Sequence, residues 1–319
     1  MAVNGLSEFL NTVEIRQNGF LSIKHDFISP GYIVALAAYS RSKQIEFNNI
    51  AFHCEKTKGY VSAIGLENAL GGNDSYPYER KKSGQNYSPL VLLDSSYGTD
   101  KATDTINNCI RYLFDNPDIS GFVKDLCDVV GDLHDNVWSH GKSTGFSMAQ
   151  KWKKPYATSE YCFEFALADC GLGFLGELQR VGLLFHDDEE SIDWCVKKGN
   201  SSKTLNVRDE WSQRLPQDMT DNPMPGIGQV VMSENHHMGL GLAKLIELIG
   251  NYKGQLWLAS GEKTLVIDAD GNKSFRKNTQ RWQGVALSCR FDTEKVKNYK
   301  KSNDDEVTAS LLRLFEVQS

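Results

Sequence analysis

Asp132, Asp135, Asn136 and His140 crowd into DLCDVVGDLHDNVWSHGKS, residues 125–143. Phe122, Leu126, Val129, Leu133 and Val137 recur there at helical spacing and define an apolar stripe. Asp132 and Asn136 lie one turn apart and stack roughly 60–100° around from that stripe, on the rim of a core where a ligand can lie against the helix. A second stretch, ADCGLGF (168–174), follows directly on the alternating run YCFEFALA. Asp169 at that strand end can accept a hydrogen bond from an exocyclic amine such as that of adenine. Gly171 and Gly173 allow a tight turn and close approach of the backbone. The third stretch is HHMGLGLAKLIELIG (236–250). Leu242, Leu245, Ile246 and Ile249 give the spacing i, i+3, i+4, i+7, and Gly250 is expected to end the helix. Gly239 and Gly241 open it, and free N–H groups at the positive end of a helix suit phosphate. Taken singly, the three stretches also fit plain roles: a solvated polar flank, a simple turn, and a glycine loop before a core helix.

The elements that must position these residues are legible to different degrees. TVEIRQ and FLSIKH read as strands of a hairpin around Asn18-Gly19. SPGYIVALAAYSRSK has a Ser-Pro helix start and an apolar stripe at Tyr32, Ile33, Leu36, Ala37 and Tyr39. IAFHC reads as a short buried strand, VSAIGLENAL as a helix, and GGNDSYPYERKKSGQNYSP as a loop or arm. Helices are predicted over DKATDTINNCIRYLFDN and, after an Asn-Pro-Asp break, over about 120–139. YCFEFALA alternates as a strand with Tyr161, Phe163, Phe165 and Leu167 on one face. Residues 174–238 are polar and punctuated by Gly and Pro, with at most two helices, one of them around EESIDWCVKKG. QLWLAS, TLVID and GVALSCRF read as closing strands, with an Asp-Gly turn before the last. A charged linker and a short apolar helix follow. There is no internal repeat.

Composition bounds the function classes. A chain of 319 residues, 40% hydrophobic and 24% charged, holds one large domain or two with their own cores. Net charge is -6 and there is no dense Lys/Arg run, so a generic nucleic-acid surface is disfavoured. No segment approaches the ~20 apolar residues of a membrane span, and the N-terminal residues lack a signal-peptide pattern. The seven cysteines are scattered without a C-x-x-C pair, which reads as reduced thiols in a cytoplasmic protein. Adjacent His236 and His237 diverge in either helix or strand and do not make a zinc site.

An acidic-x-x-x-Asn helix, a strand ending in D-x-G-x-G, a long polar segment, then G-x-G-L opening a helix followed by a β-meander resembles the GHKL ATPases. That superfamily joins gyrase-type topoisomerases, the heat-shock chaperone ATPase, sensor histidine kinases and MutL. The resemblance covers about 101–295. It implies an α/β fold, a two-layer sandwich with ATP and Mg²⁺ as ligands, preceded by a smaller α/β domain over 1–100 and followed by the tail 296–319. It further implies that Asn136 coordinates Mg²⁺, and that Asp132 stands where the family's catalytic acid, usually Glu, polarises water. Asp169 would hold the adenine amine, with Gly171 and Gly173 at the pocket floor. Gly239 and Gly241, with backbone around Leu240 and Leu242, would close over the phosphates, and 174–238 would be the ATP lid. His140 and Lys142 read as a solvated helix end. Two departures stand out: Asp132 is shorter than Glu, and QGVALSCRF lacks the Gly-Thr common in the last strand.

A histidine kinase needs a helical hairpin with a phosphoacceptor His, whereas His25 lies beside strand-like residues. Gyrase and MutL types need a transducer domain, for which too little chain remains. The first hundred residues look like a degenerate STAS-type unit, and DDEESIDWCVKKGNSSK is similar to a lid segment of bacterial ATP-binding proteins carrying such a unit. The resemblance therefore implies a regulatory protein with slow or absent hydrolysis, whose lid state is read by a protein partner or by a second copy in a dimer. Alternatives are an ATP-dependent protein serine kinase of the anti-sigma-factor type and an ATP-stabilised scaffold in a bacterial stress or phage-defence assembly.

Overall fold

The computed structural model describes residues 4–13, 20–137, 143–154, 160–200 and 241–299. In chain order its elements begin with α1 (Leu6–Thr12), β1 (Leu21–Ile23), α2 (Pro30–Ser42), β2 (Ile50–Phe52), α3 (Glu55–Ala63) and α4 (Leu66–Ala69). Next come β3 (Val91–Leu93), α5 (Ser96–Leu113), α6 (Ser120–Asn136), β4 (Gly145–Lys153), β5 (Tyr161–Asp169), α7 (Gly173–Arg180) and α8 (Asp188–Cys195). The last are α9 (Gly241–Asn251), β6 (Gln255–Ile267), β7 (Lys273–Asp292) and α10 (Thr293–Lys297). The fold is mixed α/β: an antiparallel sheet in the order β3-β4-β5-β7-β6, and a small parallel pair β1-β2.

Alternation along β5 sets the layers. Phe163, Phe165 and Leu167 point into a core shared with α5, α6 and α9. Ala166 and Ala168 point to the opposite face, where they meet a second core built with α1 and α2. Small residues on that face let α2 approach closely: a Cβ on Gly31 would stand 2.8 Å from the Ser288 Cβ in β7. Helix α2 is buried on nearly every side, from Pro30 through Ala38, because it lies between the sheet and its neighbours rather than on a surface. The second core joins residues on both sides of residue 100, and β3 pairs with β4 across the same point.

Glu164 on β5 fastens α2 to the sheet. Its carboxylate accepts from Ser29 Oγ (2.9 Å), Gly31 N (2.9 Å), Ser288 Oγ (2.8 Å), Trp152 Nε1 (3.3 Å) and Arg290 Nε (2.7 Å). The negative group thus sits at the N-terminus of α2, where the helix dipole favours it. Arg290 in turn lies over the rings of Trp152 and Trp257, at 5.3 and 4.7 Å from their centroids.

Several local expectations are corrected. Leu21–Ile23 pairs in parallel with Ile50–Phe52, not with a hairpin partner, and Thr12 closes α1, whose Phe9 and Leu10 enter the second core. The Asn-Gly turn lies outside the described residues. VSAIGLENAL is two helices, broken where Gly65 adopts φ +89°. Strand β4 has no counterpart in the sequence reading. QLWLAS and TLVID form one strand, irregular around Gly261, in a long hairpin with β7. Helix α9 runs through Gly250, and Lys253 (φ +49°) turns the chain beyond it.

Replacing Glu164 by Gln removes the charge that compensates Arg290, a largely buried guanidinium, and should cost about 3–5 kcal/mol in urea unfolding. Glu189→Gln, which removes the partly exposed pair with Lys263, should cost less than about 1 kcal/mol. Equal small effects would contradict the fastening role.

Candidate functional site

The sheet's first core is open at one end, and the opening is a cavity of ≈ 900 Å³, its mouth included. Helix α6 lends Leu133, Asn136 and Val137, and β5 lends Leu167 and Asp169. Helix α7 adds Gly173, Phe174, Glu177 and Leu178, and α9 adds Gly241 and Leu242. Val285 and Leu287 of β7 form a wall, while Trp194, Cys195 and Asn200 close it from α8 and the segment after it. Apolar walls with a few polar groups are the usual make-up of a small-molecule site.

Asp169 is the polar floor. It is buried, and its carboxyl receives Gly171 N–H (2.7 Å) and the Val285 N–H. Removal from water outweighs these two bonds and pushes its pKa up to about 7. Two backbone donors do not exhaust the acceptor capacity of a carboxylate. The wall beside it depends on glycine. Gly284 has φ +95°, and a Cβ there would overlap the Asp169 carbonyl and carboxyl oxygens and Gly171 N. Gly173 has φ +71°, and its Cβ would meet Ser260 Oγ at 2.8 Å. Ser260 Oγ receives Phe174 N–H and donates to Gly284 O, which locks the partition. A second cavity on its far side is lined by Ser42, Lys43, Gln280 and Arg281 among others.

Helix α6 presents its polar residues unequally. Asn136 lines the cavity. Asp132 is 6% exposed and lies under the start of α9, where a Cβ on Gly241 would stand 2.7 Å from its Cβ and 3.3 Å from its Oδ2. A carboxylate in that place favours the helix N-terminus. Gly241 has no left-handed φ, and its lack of a side chain serves the contact of α9 with α6. Lys244 ties the same pair of helices through Asp125 (3.0 Å) and Asp128 (3.2 Å).

Between Asp132 and Asn136, His134 is fully buried, with Nδ1 2.8 Å from Thr103 Oγ1 and Nε2 2.9 Å from Ser147 Oγ. Burial lowers its pKa to about 3, so the ring is neutral. A neutral imidazole has one donor and one acceptor, so one hydroxyl turns its proton to the ring and the other accepts from it. This joins α5, α6 and β4 behind the cavity.

The part of the expected lid that is described is built into the fold. Leu178, Ile192 and Val196 are buried, the last two in the first core. Asp188 of α8 receives Glu262 N–H (2.9 Å) and pairs with Arg281 (3.2 Å), in the space Gly261 leaves by lacking a Cβ. Residues 201–238, Gly239, Leu240, His140 and Lys142 lie outside the described residues.

Five of the singled-out residues, Asn136, Asp169, Gly173, Gly241 and Leu242, therefore line one cavity. Gly171 braces it through Asp169, and Asp132 stands behind α9. Glu177, Trp194 and Asn200 were not identified from sequence. Gly284 was the residue with a usable signal, a glycine interrupting a strand pattern. Among the described lining residues there is no Lys or Arg, and no group of three or more His, Cys, Asp or Glu could hold a metal by itself. The arrangement suits a flat, uncharged ring carrying a hydrogen-bond donor toward Asp169. Among the described residues no helix is long and apolar enough to cross a membrane. Comparison with known proteins gives no match to a family model, a curated protein or a solved structure.

Two buried groups oppose each other in pH dependence. Between 3.8 and about 7 folded Asp169 keeps a proton the unfolded chain has released, so its contribution to stability falls as pH rises through that window. Between about 3 and 6.5 unfolded His134 binds a proton the folded protein does not, so stability rises with pH there. The two contributions largely cancel in the wild type, and Asp169→Asn removes one of them. Its stability relative to wild type should rise by about 3 kcal/mol between pH 4.5 and 7.5 in urea titrations without ligand. A constant difference would contradict the buried protonated carboxyl. Gly284→Ala should cost about 3 kcal/mol or more, against about 1 kcal/mol for Gly182→Ala, which has φ +84° but open space. Similar costs would show that the partition tolerates a side chain.

Proposed function

We propose that the chain is an ATP- and Mg²⁺-binding regulatory protein of the GHKL type, with the base in the apolar cavity and the phosphates toward α9. The observation that carries the reading is the convergence of Asp169, Asn136, Gly173 and the start of α9 on one cavity that no Lys or Arg lines among the described residues. A buried carboxyl with acceptor capacity left over suits the exocyclic amine of adenine, and apolar walls suit its faces. The start of α9 offers N–H groups to phosphate, and the Asn136 amide oxygen is a hard ligand for Mg²⁺. Bound Mg²⁺ would offset phosphate charge near Asp132. An ion held mainly by phosphates and water needs few protein ligands, which is consistent with this donor set.

Binding is better supported than turnover. Asp132 is shorter than the Glu of the resembled family and is packed under α9, which limits its reach to a water. We therefore propose slow or absent hydrolysis. Nucleotide would act on the conformation of the lid beyond α8, and a protein partner or second copy would respond to it. No observation here favours the serine-kinase or scaffold alternatives over this one.

Calorimetric titration with Mg·ATP should show binding, with GTP weaker because it places a carbonyl where adenine has its amine. Asp169→Asn should weaken ATP about 30–150-fold. Asn136→Ala should weaken binding only when Mg²⁺ is present. Equal ATP and GTP affinity would overturn the base assignment, and no ATP binding would overturn the proposal.

A further inference from the structure

We infer that the cavity on the far side of the glycine partition is a second ligand site, which takes a small monocarboxylate with an apolar body. The inference goes beyond the nucleotide reading and does not depend on it.

The partition separates two cavities of opposite character. Gly173 borders both, and the chain around it divides its side chains between them. Asp169, Phe174 and Leu178 line the first cavity, whereas Cys170, Leu172 and Leu175 line the second. The second measures ≈ 1220 Å³, its mouth included, and Tyr39 and Trp282 lend it aromatic surface. That is room for a small organic molecule, with apolar surface to hold its body. Leu172 is 48% exposed at this cavity, an apolar side chain that such a body would cover.

Charge identifies the class of ligand. The first cavity has Asp169 as its floor and no Lys or Arg among its described lining residues. The second has two cations, Lys43 and Arg281, against one carboxylate, Asp188, among its described lining residues. Cys170 adds no charge, because burial pushes its thiol up to about 12 and it donates to the Ala38 carbonyl. One positive charge is therefore left over, in a chain whose net charge is -6. Lys43 carries that surplus: its Nζ lies 6.0 Å from the Tyr39 ring centroid, and it has no carboxylate partner among the described residues. Arg281 is held by Asp188 at 3.2 Å, and Asp188 is itself fixed by the Glu262 N–H at 2.9 Å. This engages one guanidinium nitrogen, and a fork of five N–H donors keeps others for a carboxylate. A single negative charge on the ligand balances the surplus. A phosphate dianion would exceed it and meet Asp188 as a like charge.

The experiment is ligand-observed NMR on the full chain with phenylacetate, cinnamate and octanoate, each beside its neutral amide and without nucleotide. At least one carboxylate should bind with a Kd of about 0.01–1 mM, and its amide about tenfold or more weakly. Lys43→Gln should weaken that carboxylate about 5–10-fold, and Lys43→Arg, which keeps the charge, should stay within about threefold of wild type. Lys263→Gln removes the same charge from a residue that lines neither cavity and should change affinity by less than about twofold. Binding of none of the three carboxylates at about 5 mM would overturn the inference. So would equal binding of acid and amide, or equal weakening by Lys43→Gln and Lys263→Gln. None of these measurements contains nucleotide, so their failure leaves the nucleotide reading standing, and failure of ATP to bind leaves this site standing.

Discussion

Asp169 ends β5 with its carboxyl out of water and two backbone N–H groups to compensate it. Five positions earlier Glu164 is buried on the other face of the same strand and accepts five hydrogen bonds, one of them from Arg290. The contrast separates a structural carboxylate from one with capacity to spare. Glu164 is satisfied and joins α2 to the sheet. Asp169 carries an unmet demand that raises its pKa to about 7, and the cavity is arranged around it. Gly284 must be glycine because the backbone passes that close to the Asp169 turn, and Gly173 because it packs in turn against Ser260 and Gly284. A buried group left partly unsatisfied is costly to a fold, and such groups concentrate where a ligand completes them.

The sequence made the chemistry-bearing elements visible because their patterns are periodic or carry glycine. The α6 stripe, the β5 alternation and the α9 spacing each appear in the structure within a few residues of where they were expected. What stayed hidden depends on partners distant in the chain. Strand β4, GFSMAQKWK, lacks a clean alternation because it is buried on both faces between α2 and the helices α5 and α6. β1 and β2 were each legible as strands, but their parallel pairing across some thirty residues was not. The cavity's α7 and α8 residues were lost in a stretch whose polar composition suggested a long lid, although Ile192 and Val196 anchor it in the first core.

Asp132 illustrates how a motif position and its surroundings can point in different directions. Helical geometry puts it one turn from Asn136, and both were expected at the rim. The start of α9 covers Asp132 and leaves Asn136 lining the cavity, so the two residues differ in access although they share a helix face. The same contact explains why Gly241 needs no side chain. A substitution there displaces α9 from α6 before it reaches any ligand, which makes it a poor probe of phosphate binding.

The central claim is that Asp169 accepts a hydrogen bond from the bound base, a donor that favours the ionised carboxylate in the complex. At pH 7 the empty site holds its proton about half the time, given a pKa of about 7. Titration of Mg·ATP in buffers of differing ionisation enthalpy measures the protons exchanged on binding. The account predicts release of about half a proton at pH 7, falling toward zero at pH 8.5. No exchange at pH 7, or uptake of a proton, would contradict it.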